Sequence, residues 1–316
     1  MSPIITRDSV LLTGGAGFIG ANLVNRLLDL GYENINLIIK ESTDISRLKN
    51  ILPKVKLNKI DLLDKNLKDF VRKINPSIIF HLATYSAYAD QKAVSEMVDA
   101  NIRGTLNLLI STQDIDYKVF VNTGSSSEYG IKKNAIREND LLEPISFYAA
   151  TKASATLLCQ VFASEYQKPV VTLRPFSVFG PLEEKKRFIP TIINAIIQNQ
   201  SIRLTAGDQR RDFIFIDDIV DIYIKTISKG GKLSGQILNM GTGIEYTNDE
   251  VAQTLFKVTG KKVPIKKGAY PKRLWDTPHW VADTSKIKKY LNWKPKFSLE
   301  QGLGETYRWY INKYAK

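Results

Sequence analysis

Val10-Leu11-Leu12-Thr13-Gly14-Gly15-Ala16-Gly17-Phe18-Ile19-Gly20 is the stretch on which the reading of this chain turns. An apolar run leads into a cluster of glycines, and an amphipathic helical pattern over Phe18–Leu30 leads out of it. Gly14 and Gly17 allow a tight turn whose backbone can approach a pyrophosphate, and Gly20 lets the helix pack closely on the preceding strand. The start of that helix presents N–H groups and the positive end of its dipole, which suits an anion. Phe18 and Ile19 follow the turn directly and are expected with the three glycines at a bound dinucleotide.

Outward from this motif, short runs rich in Val and Ile alternate with helical patterns. Val10–Thr13, Ile35–Ile39, Val55–Ile60, Ile78–Leu82, Val119–Asn122 and Val170–Leu173 read as strands covered on both faces. Leu67–Ile74, Val94–Ser111 and Tyr148–Glu165 read as helices between them. The alternation predicts an α/β fold, a doubly wound parallel sheet of the Rossmann type, with its ligand crevice at the carboxyl ends of the strands. After Arg174 the pattern loosens into helices near Ile189–Gln198, Asp217–Ser228, Asn248–Val258, Ser285–Leu291 and Leu299–Ile311. Thr247 and Glu250 fit a capping box, and Gln236–Met240 reads as a strand returning to the first sheet. The expected organisation is a dinucleotide domain over 1–175 plus about 212–245, interleaved with a smaller α/β substrate-binding domain over about 176–211 and 246–316.

Composition narrows the function. The 316 residues are 43% apolar and 24% charged, which excludes a disordered or fibrous chain. One cysteine, Cys159, excludes a disulfide framework and a multi-cysteine metal site, so no metal is expected. Neither a secretory leader nor a long apolar span is evident, and the expected setting is cytoplasmic without a membrane partner. The net charge of +13 is spread through short clusters such as Lys185-Lys186-Arg187, with no dense basic-aromatic tract. That favours a solvated basic surface or an anionic small ligand over nucleic acid.

A second constellation carries chemistry. Tyr148-Ala-Ala-Thr-Lys152 places a phenol and an ammonium on one helical face. A neighbouring cation favours phenolate, so Lys152 is expected to lower the pKa of Tyr148 and fit it for proton exchange beside a hydride transfer. Upstream, Thr123-Gly124-Ser125-Ser126-Ser127-Glu128-Tyr129-Gly130 follows a predicted strand and brings hydroxyls to the same end of the sheet. Counting 20 residues from Gly20 reaches Lys40, where an NAD site usually carries a carboxylate. Lys40, Ser42 and Arg47 together suit a 2′-phosphate, so the expected cofactor is NADP with NAD as the alternative; Glu41 is the feature against it.

With these residues in view, the chain resembles the extended short-chain dehydrogenases/reductases, in particular their nucleotide-sugar epimerase/dehydratase/reductase group. The resemblance runs from Thr13–Gly20 through Asp61-Leu62, His81-Leu82-Ala83, Asn101, Ser125–Gly130, Tyr148–Lys152 and Arg174–Pro181. It continues through Arg211–Asp218, Asn239–Gly243 and Ala282–Lys286 to Leu291–Pro295. It implies Ser125, Tyr148 and Lys152 as the catalytic set, with Asp61 and Leu62 at the adenine and Leu82 and Ala83 beside the cofactor. Around a nucleotide-linked sugar it implies Tyr85, Ser126, Ser127, Ser177, Arg211 and Arg273, the two arginines gripping the diphosphate. His81 reads as a packing residue. Dehydratases of the group carry an Asp-Glu or Ser-Glu pair after the catalytic hydroxyl, where this chain has Ser126 and Ser127, neither able to act as a carboxylate, so dehydration is disfavoured. The favoured activity is NADPH-dependent reduction of a nucleotide-linked 4-keto-deoxyhexose, with 4-epimerisation as the alternative. A non-catalytic dinucleotide- or RNA-binding protein is the reading from another class. The resemblance also implies a homodimer, built by the Val94–Ser111 and Tyr148–Glu165 helices as a four-helix bundle.

Overall fold

The computed structural model describes residues 6–85, 93–205, 209–269 and 279–314. The first half runs β1 (Thr6–Thr13), α1 (Phe18–Asp29), β2 (Tyr32–Ile39), β3 (Lys56–Lys59), α2 (Leu67–Ile74), β4 (Ile78–His81), α3 (Val94–Val98), α4 (Gly104–Ser111), β5 (Val119–Thr123), α5 (Phe147–Glu165) and β6 (Val170–Pro175). The second runs β7 (Ser177–Phe179), α6 (Phe188–Ile197), β8 (Ile202–Arg203), β9 (Arg210–Arg211), β10 (Phe213–Phe215), α7 (Ile216–Ile227), β11 (Ile237–Met240), β12 (Tyr246–Thr247), α8 (Asn248–Thr259), β13 (Ile265–Lys266), α9 (Ser285–Leu291) and α10 (Leu299–Tyr314).

Seven strands form one sheet in the order β11-β6-β5-β4-β1-β2-β3, every pair parallel. Strand order reverses between β1 and β4, so the loops after them, 14–17 and 82–85, flank the crevice that such a reversal opens. Val10, Leu12, Leu37, Phe80 and Val121 belong to one apolar core, while Leu11, Ile38, Ile79 and Phe120 belong to another on the opposite face. Alternate residues therefore serve two buried faces, which is why the strands read as continuous apolar runs. The larger core passes without a break from β1 and α1 through α6 and α7 to Leu303 and Tyr310 of α10.

β11 joins the sheet beside β6. The remaining strands form three two-stranded ladders, β7 with β10, β9 with β12 and β8 with β13. Thr247 caps α8 through a capping box with Glu250. Among the described residues, no helix is long and apolar enough to cross a membrane.

One element departs from its expected form. The single helix expected over Val94–Ser111 is interrupted by a π-helical turn at Asp99–Arg103. The wider turn carries the buried Asn101 inward, where its amide bonds Tyr85 and Thr151. Insertions of this kind are frequent at functional sites, and no periodicity in the apolar residues marks this one.

Candidate active site

The glycine turn is built so that little besides glycine fits. Gly14 has φ +73°, and a Cβ there would lie 2.5 Å from the Ala83 backbone nitrogen. A Cβ on Gly20 would lie 2.2 Å from the Gly14 carbonyl oxygen. Gly17 caps α1 with extended backbone and no side-chain hydrogen bond, so the first-turn N–H groups face outward without a side-chain partner. Together with loop 82–85, this is a cradle for a diphosphate, and Phe18 and Ile19 lie partly buried at its rim. The back wall is a hydrogen-bonded chain. His81 Nδ1 meets Thr13 Oγ1 at 2.7 Å and its Nε2 meets Thr105 Oγ1 at 2.9 Å. Thr13 Oγ1 also accepts the Ala83 N–H at 3.2 Å, and the Leu82 N–H reaches the Thr13 carbonyl at 3.0 Å. Burial pushes the His81 imidazole down to about 3, so the ring is neutral and structural.

Ser125 caps a short 3-10 turn over Ser126–Tyr129 at the end of β5, its hydroxyl oxygen accepting the Ser127 N–H at 3.1 Å. Tyr148 and Lys152 occupy consecutive turns of α5, and the Ser125 hydroxyl is near enough to the Tyr148 phenol to pull its pKa down. The three sequence-selected side chains thus meet at one end of the sheet. The Lys152 side chain is buried, 4% exposed, with the Glu128 carboxylate as the charged group that favours its ammonium form. The glycine cradle, which a Cβ at Gly14 or Gly20 would fill, and the Lys152 donor on α5 fit a dinucleotide.

The electrostatics differ from the sequence reading. Burial holds the Tyr148 phenol above its ordinary pKa, and what pulls it down is the Ser125 hydrogen bond and the Arg187 guanidinium, not Lys152. Lys152 itself is lowered by loss of solvent and raised again by the Glu128 carboxylate behind it. An ammonium spent on a buried carboxylate has less field to lend the phenol.

Glu128 is the residue that sequence reasoning passed over. It is fully buried; Oε1 accepts the Ser125 N–H at 2.7 Å, and Oε2 meets Arg174 Nη2 at 2.6 Å and Nε at 2.8 Å. The Arg174 guanidinium lies 4.5 Å from the centre of the Tyr129 ring, whose hydroxyl donates to Asn239 Oδ1 at 2.7 Å. Glu128 is therefore committed behind the turn and offers no acid or base to the crevice. The signal in sequence was one acid in the serine-rich turn after β5 and one arginine at the end of the apolar run of β6.

The remaining expected contacts divide. Asp61 lies beside Lys40, the two forming an ion pair at 3.1 Å, and Glu41 pairs with Lys59 at 2.7 Å. Leu62 is buried against Gly104, and Ser42 is exposed. Arg47 is a correction: its Nε donates to the Leu182 carbonyl at 2.9 Å and its Nη2 meets Glu184 at 3.2 Å, so its fork is used by the 182–184 segment. Asn22 of α1 donates to the neighbouring Pro181 carbonyl at 3.0 Å, so this segment straps across the glycine turn. Ser126 is a second correction: it is buried, and its hydroxyl oxygen accepts the Trp280 Nε1–H at 3.0 Å, which takes it out of direct substrate contact. Ser127 is partly buried, and the Ser177 N–H bonds the Asp212 carbonyl at 3.0 Å. The Tyr85 backbone is held by Asn101 at 2.7 and 3.2 Å. Arg211 lies half-buried with its guanidinium 5.4 Å from the Trp280 ring centre. Arg273 lies outside the described residues. Among the described residues, no cluster of three or more His, Cys, Asp or Glu side chains is placed to hold a metal ion.

Comparison with known proteins agrees with this geometry. The family described as NAD dependent epimerase/dehydratase matches residues 10–241. A UDP-glucuronate 4-epimerase of Thermodesulfobacterium geofontis is 33% identical over 95% of this chain and 95% of its own. A dTDP-glucose 4,6-dehydratase of Haemophilus influenzae is 27% identical over 96% of this chain and 98% of its own. The crystal structure of UDP-glucuronic acid 4-epimerase from Bacillus cereus, in complex with UDP-glucuronic acid and NAD, superposes with a TM-score of 0.86. It is 27% identical, and the match covers 97% of this chain and 100% of that one.

Proposed function

The chain belongs to the NAD dependent epimerase/dehydratase family of enzymes, and we propose that it is a 4-epimerase of a UDP-linked sugar. The observation that carries this reading is the turn after β5. It presents the Ser125 hydroxyl to Tyr148, and its one carboxylate, Glu128, is buried in an ion pair with Arg174. A hydroxyl, a phenol and an ammonium are sufficient to move a proton and a hydride at one carbon; elimination needs a carboxylic acid or carboxylate facing the sugar. Reduction of a 4-keto sugar, favoured by the sequence alone, would use the same three residues. Similarity to 4-epimerases acting on UDP-glucuronate moves the preference to epimerisation.

In this mechanism Gly14, Gly17 and Gly20 hold the cofactor diphosphate against the start of α1, and Lys152 bonds its ribose. A bound dinucleotide would supply the hydride acceptor and donor that this chemistry needs. Tyr148 takes the proton of the C4 hydroxyl and gives it back, while the Ser125 hydroxyl keeps hold of the C4 oxygen. Arg211 and Ser177 anchor the diphosphate end while the keto sugar turns its other face. We assign NAD as the cofactor: Lys40 is neutralised by Asp61 and Arg47 is engaged by Leu182 and Glu184, which leaves a 2′-phosphate with little uncommitted charge to meet.

Incubated with UDP-glucose or UDP-glucuronate, the protein is expected to give two 4-epimers, separable by chromatography, with no net change in reduced-nicotinamide absorbance. Stoichiometric loss of NADPH with a 4-keto nucleotide sugar, and no interconversion, would return the reductase. A homodimer is proposed as well. Leu106 and Ile110 on α4 are 37% and 42% exposed, and Leu157 and Val161 on α5 are 52% and 54% exposed. Each pair is four residues apart, so each helix offers an apolar stripe to a second copy. Leu157→Glu together with Val161→Glu is expected to give monomers by analytical ultracentrifugation; an unchanged sedimentation coefficient would place the interface elsewhere.

A further inference from the structure

Trp280 is a large side chain buried between two parts of the site that no sequence motif connects. It is 8% exposed. One edge of its indole donates to Ser126 Oγ at 3.0 Å, and Ser126 opens the turn that Ser125 caps. Its face meets the Arg211 guanidinium at 5.4 Å from the ring centre. The backbone around it has little slack. The Trp280 N–H donates to Glu245 Oε2 at 3.3 Å, and its carbonyl accepts the Asp212 N–H at 2.8 Å. Asp212, the neighbour of Arg211, is fully buried and accepts four hydrogen bonds, from the Thr242 N–H and hydroxyl, the Gly243 N–H and the Ala282 N–H.

We propose that Trp280 is a positioning residue that couples the grip of Arg211 on the substrate diphosphate to the orientation of the Ser125 turn. This rests on the nucleotide-sugar reading of Arg211 given above. Tryptophan is suited to the task because it joins a broad π-face for a guanidinium to an edge N–H donor. Tyrosine carries its polar group at the ring tip, and phenylalanine has none. When Arg211 swings its fork onto a diphosphate, the indole that it faces is held or released in plane. That plane sets the hydrogen bond to Ser126, and Ser126 is bonded covalently to the serine that must point at the reacting oxygen. A small misplacement at the reacting centre is costly, on the order of 100-fold for about 1 Å.

The test separates the N–H from the ring. Trp280→Phe keeps a face for Arg211 and removes the donor, while Ser126→Ala removes the acceptor. Each is expected to lower kcat about 10-fold, the value of one hydrogen bond near 1.4 kcal/mol, with KM changed less than about twofold. The double variant is expected to be no slower than either single one, because the two changes break the same bond. Arg211→Ala is expected to raise KM and lower kcat in the wild type, but to raise only KM in the Trp280→Phe background. Losses that multiply in the double variant, or an unchanged kcat in Ser126→Ala, would overturn the coupling; the Ser126 variant decides this even if Trp280→Phe fails to fold. An unchanged KM in Arg211→Ala would instead remove the diphosphate assignment, and is distinguishable because the Trp280–Ser126 cycle does not involve that residue.

Discussion

Replacing Tyr148 by phenylalanine is expected to lower kcat by about 100-fold or more while leaving the affinity for the dinucleotide nearly unchanged. The phenol hydroxyl is the proton-carrying group assigned to the reaction, and phenylalanine keeps the ring and its packing. The pH profile gives a second readout. Burial holds the phenol above its ordinary pKa, so the base that starts the reaction gains population as pH rises. The wild-type rate of the oxidative half is expected to climb with pH, and this limb should vanish in the variant. Near-normal turnover in Tyr148→Phe, measured with a UDP-linked hexose, would remove Tyr148 from the chemistry.

Glu128→Ala is expected to have the largest effect on stability. It would leave Arg174, 1% exposed, with a buried charge and no carboxylate, and breaking a buried pair from one side costs about 3–5 kcal/mol. The Ser125 N–H would lose its acceptor at the same stroke. Denaturant titration should show the midpoint falling with an unchanged slope. A loss under about 1 kcal/mol would mean that water replaces the carboxylate and that the pair is not the support described. Glu128→Gln should fall between, since it keeps an acceptor for Ser125 and loses the charge facing Arg174.

The sheet was legible because its inner strands are buried on both faces; β3, read as covered in the same way, is a half-exposed edge strand. Runs such as Ile35–Ile39 and Ile78–Leu82 carry no polar alternation, and the structure places them side by side with β1 in parallel register. The glycine turn was legible because steric exclusion leaves a mark in residue type: only glycine tolerates the approach of Gly20 to the Gly14 carbonyl. The π-helical turn at Asn101 left none, since its cause is a set of hydrogen bonds to residues distant in sequence. The fate of Arg47 was hidden for the same reason. Counting residues from Gly20 locates a loop, but the Leu182 carbonyl and Glu184 carboxylate that attract its guanidinium come from a segment far along the chain. Trp280 and Glu128 were given no role from the sequence because packing partners decide their roles, and a linear motif does not list partners.

The uninterrupted core that joins β1 and α1 to α7 and α10 bears on how new specificities can arise in such a scaffold. Leu23 and Val24 of α1 share one apolar interior with Ile219, Leu303 and Tyr310 from the far end of the chain. A chimera that joined residues up to about 175 with the sugar-facing half of a relative would have to match dozens of methyl groups across that interior, and mismatches of a single methylene are felt in cores packed to crystal density. The two halves are therefore not exchangeable cassettes. Changes in the sugar accepted are cheapest in the loops above the strand ends, which lie outside the shared interior. Divergence within the fold can proceed there one residue at a time, while the interior beneath stays constant.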